Sequence, residues 1–433
     1  MKLYVDDAEI DQQPQRTPVM NRRRARTLVC VVTVPVLTLA AACGSTTPGG
    51  AVSTSSTAQV STSSPAKVTT SSPAQMTTAG AAAFDDATTA SFQRVLDDTR
   101  ATGGFPGVIA LVSSAQGTWI GTSGTTGEGL DAVPTPTDHT RVGSLTKTMT
   151  ATVILQLSEE GKLDLSDPIG NYVAGMPNGD VATIQQLAEM TSGIAPYTTS
   201  DAFQQQLFAD PLKVWTPAEL IAFEQGRPAE FAPGQGWQYS NTNYVLLGMV
   251  IEQVTGQSIA DVFQERLFGP LGMTNTVFPG SSNAIADPHL HGVTEQGQDD
   301  GTTADATEWN PSEAFTAGEV ISTLGDLEIW ANALFTGEGI LKPETQQFRR
   351  DSINRTIPPN SATAGYGFGI GDMGGWWGHD GQIPGYTTAV MHNYDLDTTM
   401  IVLVNSDIPL PGDKGPEPAP AVQKALAQAL PGA

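Results

Sequence analysis

The chain has 433 residues, 39% of them hydrophobic and 15% charged, room for two or three average domains or for one large domain with appendages. Its formal net charge of −24 at pH 7 argues against a nucleic-acid partner, which selects a basic surface, and describes a soluble acidic one.

Residues 1–19 carry Asp6, Asp7, Glu9 and Asp11 and do not read as an export signal. Met20 opens one: Arg22, Arg23, Arg24 and Arg26 form a positive region, Leu28 to Leu39 an apolar core, and small residues lead to Ala42-Cys43. The apolar run is too short for a comfortable permanent span. The segment resembles a bacterial lipoprotein signal, with Ala40 in place of the usual leucine and Leu39 displaced by one. We therefore expect a true start at Met20, a leader over 1–42, acylation of Cys43, and an exported protein tethered to the membrane by lipid. Plain secretion is the alternative, and mass spectrometry of the mature N-terminus distinguishes them. Cys30 and Cys43 are the only cysteines, so after cleavage no intrachain disulfide can form and folding must rest on the core.

Residues 43–83 are rich in Ser, Thr, Ala and Pro, with an eight-residue repeat at Ser53, Ser61 and Thr69. Such a segment cannot build a core and is expected to be a disordered tether, open to O-glycosylation. The catalytic domain is assigned to 84–433. Its first helix is expected over Ala87 to Arg100, followed by a strand at Val108 to Val112 and a hairpin partner at Thr118 to Gly121.

A helix is then expected from Ser144. Leu145, Met149, Val153, Ile154 and Leu157 recur at helical spacing, and Gly161 stands where a left-handed cap belongs, so one face enters a core. Lys147 follows Ser144 by three residues, which puts its amine about one turn above the hydroxyl on the same side. A serine hydroxyl is a weak nucleophile at neutral pH, and a neighbouring amine with the positive helix N-terminus can take up or disfavour its proton. The spelling alone is weak, because Ser64-Pro65-Ala66-Lys67 shares it inside the tether. Context separates the two: Ser144 has a strand-like approach and an apolar helix behind it.

Residues 160–340 read as mainly helical. Thr183 to Gln186 is a capping box for a helix ending near Gly193, and Thr216 to Glu219 is a second box with Pro217 at the first helical position. Asn243 to Val254 reads as a buried helix closed by Gly256, and Ser258 to Phe268 as another, stopped by Gly269-Pro270. His289 and His291 lie in a polar loop without a Cys or carboxylate at ligand spacing, so no metal is assigned. Strands return at Tyr366 to Ile370, Gly374 to His379, Tyr386 to His392 and Met400 to Asn405, and a helix near Ala421 to Leu430 closes the chain. The expected fold is α+β, an antiparallel sheet flanked by helices plus a mainly helical subdomain, with the C-terminal segment completing the sheet.

Two further motifs accompany Ser144-Leu-Thr-Lys147. Tyr239-Ser240-Asn241 precedes an apolar helix, and His379-Asp380-Gly381 follows Trp376-Trp377-Gly378. Together they resemble the serine β-lactamase and D-alanyl-D-alanine carboxypeptidase superfamily, most like class C β-lactamases and their peptidase and esterase relatives, over about residues 84–430. The stretches Met190 to Gly193, Pro270 to Met273 and Ala317 to Leu327 add to it. The chain has no Gly-x-Ser-x-Gly elbow of an α/β-hydrolase.

The resemblance implies an acylated Ser144, with Lys147 and Tyr239 sharing its proton and Tyr239 acting as a phenol of lowered pKa. It implies that Asn241 binds the substrate amide and holds Lys147, and that His379 hydrogen-bonds towards Tyr239. The backbone N–H groups of Ser144 and Gln382 would form the oxyanion hole, and Gly381 would leave room for substrate. No cofactor is implied. The expected partner is a small-molecule or peptide substrate, with the cell wall as one source.

Asp380 departs from the pattern, since relatives carry Thr or Ser there. Two like charges about 5 Å apart at an effective dielectric near 20 repel by roughly 3 kcal/mol, of which solvent leaves about 1–2. An Asp380 side chain facing the ligand would therefore favour neutral amides or esters over D-Ala-D-Ala or β-lactams. The leading expectation is an exported serine hydrolase cleaving an amide or ester through an acyl-enzyme. An esterase for neutral esters and a non-catalytic envelope-binding module are the alternatives.

Overall fold

The computed structural model describes residues 83–298, 301–412 and 415–431. The leader, Cys43, the tether and the second Ser-x-x-Lys lie outside them. Among the described residues no helix is long and apolar enough to cross a membrane.

Helix α1 (Asp86–Gly103) starts where the Asp85 side chain accepts the Thr88 N–H, and ends at Gly104 with φ 74°. Strands β1 (Gly107–Ser114) and β2 (Gly117–Gly124) form the hairpin expected from the alternating and continuous apolar runs. The helices that follow include α2 (Thr146–Glu159), α3 (Asp201–Ala209), α4 (Asn241–Thr255) and α5 (Leu324–Thr336). The C-terminal segment supplies β3 (Ala364–Tyr366), β4 (Gly371–Met373), β5 (Trp376–Ile383), β6 (Tyr386–Asn393) and β7 (Thr398–Val404), then α6 (Pro418–Gln428).

The seven strands make one antiparallel sheet in the order β2-β1-β7-β6-β5-β4-β3. The chain's two ends meet through β1 and β7, with Val108 opposite Val404. Strand β1 is apolar at successive positions because both of its faces are covered. Val108, Ala110 and Val112 pack with Phe92, Leu96, Val422 and Leu426 of α1 and α6. Ile109 and Leu111 face the helical part, with Met149 and Ile154 of α2 and Trp330 of α5.

The structure alters four local expectations. Helix α2 buries nearly its whole circumference, Thr146 to Leu155 included, so its expected single core face is one part of a buried helix. The Thr183 capping box forms, but its helix stops at Ala188 instead of near Gly193. There Asn243 of α4 donates to the Leu187 carbonyl and Tyr244 to the Ala188 carbonyl, and these side chains satisfy the helix end. The helix from Ile259 runs through Gly269-Pro270 and stops at Gly272, φ 74°. A π turn at Gln264–Phe268 widens the backbone ahead of Pro270, with Gly269 N–H donating to the Gln264 carbonyl. Finally, Gly367 to Ile370 is a tight turn between β3 and β4, and His379 lies in the middle of β5, because the glycine pair Gly374-Gly375, φ 63° and 87°, makes the next hairpin bend.

Candidate active site

Short pairing of Thr140-Arg141 with Ile321-Ser322 leads the chain to Gly143, whose φ is +55°. A Cβ on Gly143 would lie 2.7 Å from the Gln382 nitrogen, so the backbone can turn here only as glycine. Gly143–Leu145 is a tight turn and α2 begins at Thr146, so Ser144 sits on the turn ahead of the helix.

Lys147, one turn on, is fully buried. Its Nζ lies 3.0 Å from Ser144 Oγ, 2.7 Å from Asn241 Oδ1 and 2.7 Å from the Ala317 carbonyl. Burial pushes its pKa well below that of an ordinary lysine, while the charges of Asp380 and Glu313 act in the other direction. A neutral amine has two N–H bonds and one lone pair. Asn241 Oδ1 and the Ala317 carbonyl only accept, so they take both N–H bonds and leave the lone pair facing the Ser144 hydroxyl.

Tyr239 stands beside this pair, with Lys147 Nζ 4.9 Å from its ring centroid. Its hydroxyl is buried and, although Ser144 is near enough to favour ionisation, makes no well-formed hydrogen bond. Burial dominates and holds the phenol pKa well above its usual value. The direction is opposite to the lowered pKa expected, because burial is the largest cause. Nor does His379 bond to Tyr239. Its Nδ1–H donates to the Asp380 carbonyl at 2.5 Å, which leaves Nε2 to accept from the Tyr366 hydroxyl at 3.0 Å. Burial keeps His379 neutral, with its pKa pushed down to about 4. Tyr366 packs edge-to-face on Tyr239, ring centroids 6.1 Å apart, so His379 supports the phenol from behind.

A cavity of about 230 Å³ opens beside Ser144, lined also by Asn241, Gln382, Glu313, Ala317 and Gly318, with Phe203, Leu207 and Phe208 of α3 forming an apolar wall. Of the residues expected to meet substrate, Asn241 and Gln382 line it; His379, Asp380 and Gly381 do not. Asp380 is 7% exposed, sits on β5 opposite Ala389 and has one carboxylate oxygen that accepts no hydrogen bond and lies 3.6 Å from His379 Nδ1. It acts on the site through its field on Lys147, not by facing the cavity as expected. Gly381 makes room for protein instead of substrate: a Cβ there would stand 2.0 Å from the Val142 carbonyl, which Thr388 Oγ1 also holds at 2.8 Å.

Sequence reasoning missed Glu313, Tyr366 and α3. Helix α3 had a signal in the spacing of Phe203, Leu207 and Phe208, whereas Glu313 is one of 45 acidic residues with nothing local to mark it. His289 and His291 lie with ring centroids 4.8 Å apart, and among the described residues no group of three or more His, Cys, Asp or Glu could hold a metal.

The family model described as Beta-lactamase matches residues 92–423. A penicillin-binding protein of Bacillus subtilis (strain 168) is 30% identical over 287 residues, 61% of this chain and 60% of that protein. The chain thus spans about three-fifths of the length of the curated relatives it matches. Among solved structures, a D-stereospecific amidohydrolase from Streptomyces sp. matches with TM-score 0.69 and 34% identity, over 80% of this chain and 99% of that one. A D-amino acid amidase from Ochrobactrum anthropi SV3, complexed with L-phenylalanine amide, matches with TM-score 0.69 and 28% identity, over 79% and 98%.

Proposed function

Because this chain belongs to the beta-lactamase family and is a serine hydrolase of that fold, we propose that it hydrolyses amides of D-amino acids, or related small esters, through an acyl-enzyme on Ser144. The observation that carries the mechanism is the wiring of Lys147, whose two acceptor-only partners direct its lone pair to Ser144 Oγ. Ser144 attacks the carbonyl carbon as Lys147 takes its proton, and the N–H groups of Ser144 and Gln382 receive the developing oxyanion. Tyr239, held as the neutral phenol, donates to the leaving nitrogen or oxygen and takes the proton back from the Lys147 ammonium, so that neutral Lys147 can accept a proton from the water that attacks the acyl carbon and return it to Ser144 Oγ as that oxygen leaves. The Ser-x-x-Lys signature of β-lactamases and penicillin-binding proteins is itself a general example of this chemistry.

Small substrates are favoured by the cavity, whose roughly 230 Å³ lies under the ~300–1,000 Å³ usual for drug-sized ligands. The two amidase-like structural neighbours support an amide. We also propose that the protein is exported and lipid-anchored through Cys43, a reading that rests on the leader sequence alone. The substrate is tested by comparing D-phenylalanine amide, L-phenylalanine amide, a D-Ala-D-Ala peptide and a cephalosporin with the purified protein. We expect kcat/KM for the D-amide to exceed the peptide and cephalosporin values at least tenfold; efficient cephalosporin turnover would overturn the reading.

The base assignment makes a pH prediction. Acylation needs neutral Lys147, so its rate rises with pH through the lowered lysine pKa and is lost below it. Asp380 raises that pKa by its charge. Asp380→Asn should therefore move the acid limb of kcat/KM for a p-nitrophenyl ester to lower pH, and an acid limb that stays in place would exclude Lys147 as the titrating base.

A further inference from the structure

We propose that Glu313 is an ammonium-binding subsite of the catalytic cavity, so that the preferred substrate carries a protonated amine close to its scissile carbonyl. This rests on the acyl-enzyme reading of Ser144 and adds to it the charge of the substrate. Glu313 lines the same cavity as Ser144 and is 7% exposed, and the causes that shift its pKa are burial and the charges of Lys147 and Arg141, with no hydrogen bond to the carboxyl among them. Glu313 and the preceding Ser312 are held by three hydrogen bonds. Asn310 Oδ1 accepts the Ser312 N–H at 3.1 Å, Ser312 Oγ accepts the Trp215 N–H at 2.8 Å, and the Tyr197 hydroxyl donates to the Glu313 carbonyl at 2.5 Å.

The two cationic side chains near it, Lys147 and Arg141, act on it through their charge, and the hydrogen bonds their nitrogens make go elsewhere. Lys147 directs its nitrogen to Ser144, Asn241 and Ala317, and Arg141 gives Nη2 to the carbonyls of Asn283, Thr307 and Trp309. The remaining neighbours that sense it are Glu319 and Tyr197, and neither supplies positive charge. The space shared by Glu313 and Arg141 on the far side is about 10 Å³, water-sized at most. The open side of the carboxyl is thus the catalytic cavity.

A desolvated carboxylate is costly to charge, and a ligand that brings its own N–H groups and positive charge offsets that cost. Desolvation pushes Glu313 up to about 7, offset in part by Lys147 and Arg141. Above that pH the carboxylate forms, while an α-amine with a pKa of roughly 7.7–8.0 is still largely protonated. Both partners are therefore charged in a narrow window between the two values.

The experiment compares D-phenylalanine amide with 3-phenylpropanamide, the same skeleton with hydrogen in place of the ammonium, as competitors of fluorophosphonate labelling at Ser144 of the full-length protein. With the unmutated enzyme the ammonium compound should protect at a concentration at least tenfold lower, and this preference should grow from pH 6 to pH 7.5. Glu313→Gln should reduce the preference by about 10- to 100-fold or to parity, as loss of a charge-assisted hydrogen bond implies, and should flatten its pH dependence. Equal protection by the two amides in the unmutated enzyme overturns the subsite without needing the variant. A preference that Glu313→Gln leaves within threefold overturns it as well. Absence of labelling at Ser144 overturns the acyl-enzyme reading, and the subsite with it.

Discussion

Ser144→Ala should abolish fluorophosphonate labelling and lower amide or ester turnover by about ten-thousand-fold or more, the scale found when a serine nucleophile is removed. Stability should change by less than about 1 kcal/mol, because the Ser144 hydroxyl faces a cavity and Lys147 keeps its bonds to Asn241 and Ala317. Intact-protein mass spectrometry after labelling, with thermal unfolding alongside, reads both effects. A variant that still takes one label would place the nucleophile elsewhere. Ser64→Ala, the other Ser-x-x-Lys, should label as the unmutated protein does.

Gly381→Ala should lower both activity and stability although it touches neither the nucleophile nor its base. The added methyl would meet the Val142 carbonyl at 2.0 Å and Thr388 Oγ1 at 2.5 Å. The first is backbone, and it belongs to the segment that turns into Ser144. Overpacking of this kind costs roughly 1–3 kcal/mol, more where backbone must move. Strand β5 pairs with β4 only as far as Gly378, so its second half can shift away from the Ser144 turn and take the neighbouring Gln382 N–H with it. Loss of one oxyanion donor is worth about 10²–10³ in kcat, and we expect a fall of roughly a hundredfold together with the stability loss.

Gly325→Ala is the matched control. Nothing lies within 4 Å of a Cβ there, in the first turn of α5. Activity should be unchanged, and stability should rise by up to about 1 kcal/mol. Wild-type turnover by Gly381→Ala would show that β5 and the nucleophile turn are not packed as described.

The sequence by itself determined what is settled within a turn or two of chain. The Thr183 and Thr216 capping boxes form as their spelling requires, and Gly161 and Gly256 adopt left-handed φ of 68° and 69°. Lys147 stands above Ser144 because the tight turn at Gly143–Leu145 runs straight into α2 and three residues make about one turn. The β1–β2 hairpin likewise follows from local pattern and a short connection.

Tertiary structure decided everything that depends on burial or on distant segments. Lys147 reaches Asn241, 94 residues away, and Ala317, 170 residues away. That wiring, more than the motif, directs its lone pair. The sign of the Tyr239 shift, the partner of His379 and the neutral state of both follow from desolvation, which no residue spelling carries. Gly381 was legible as a glycine that something must approach closely, but only the packed structure shows that the approaching group is the Val142 carbonyl. Glu313 became visible only once folding had brought it into the lining of the cavity beside Ser144. Hydrogen-bonding spacing within a helix is local information, whereas electrostatic environment is the sum over all chain that folds around a group, and the first can be read in sequence while the second cannot.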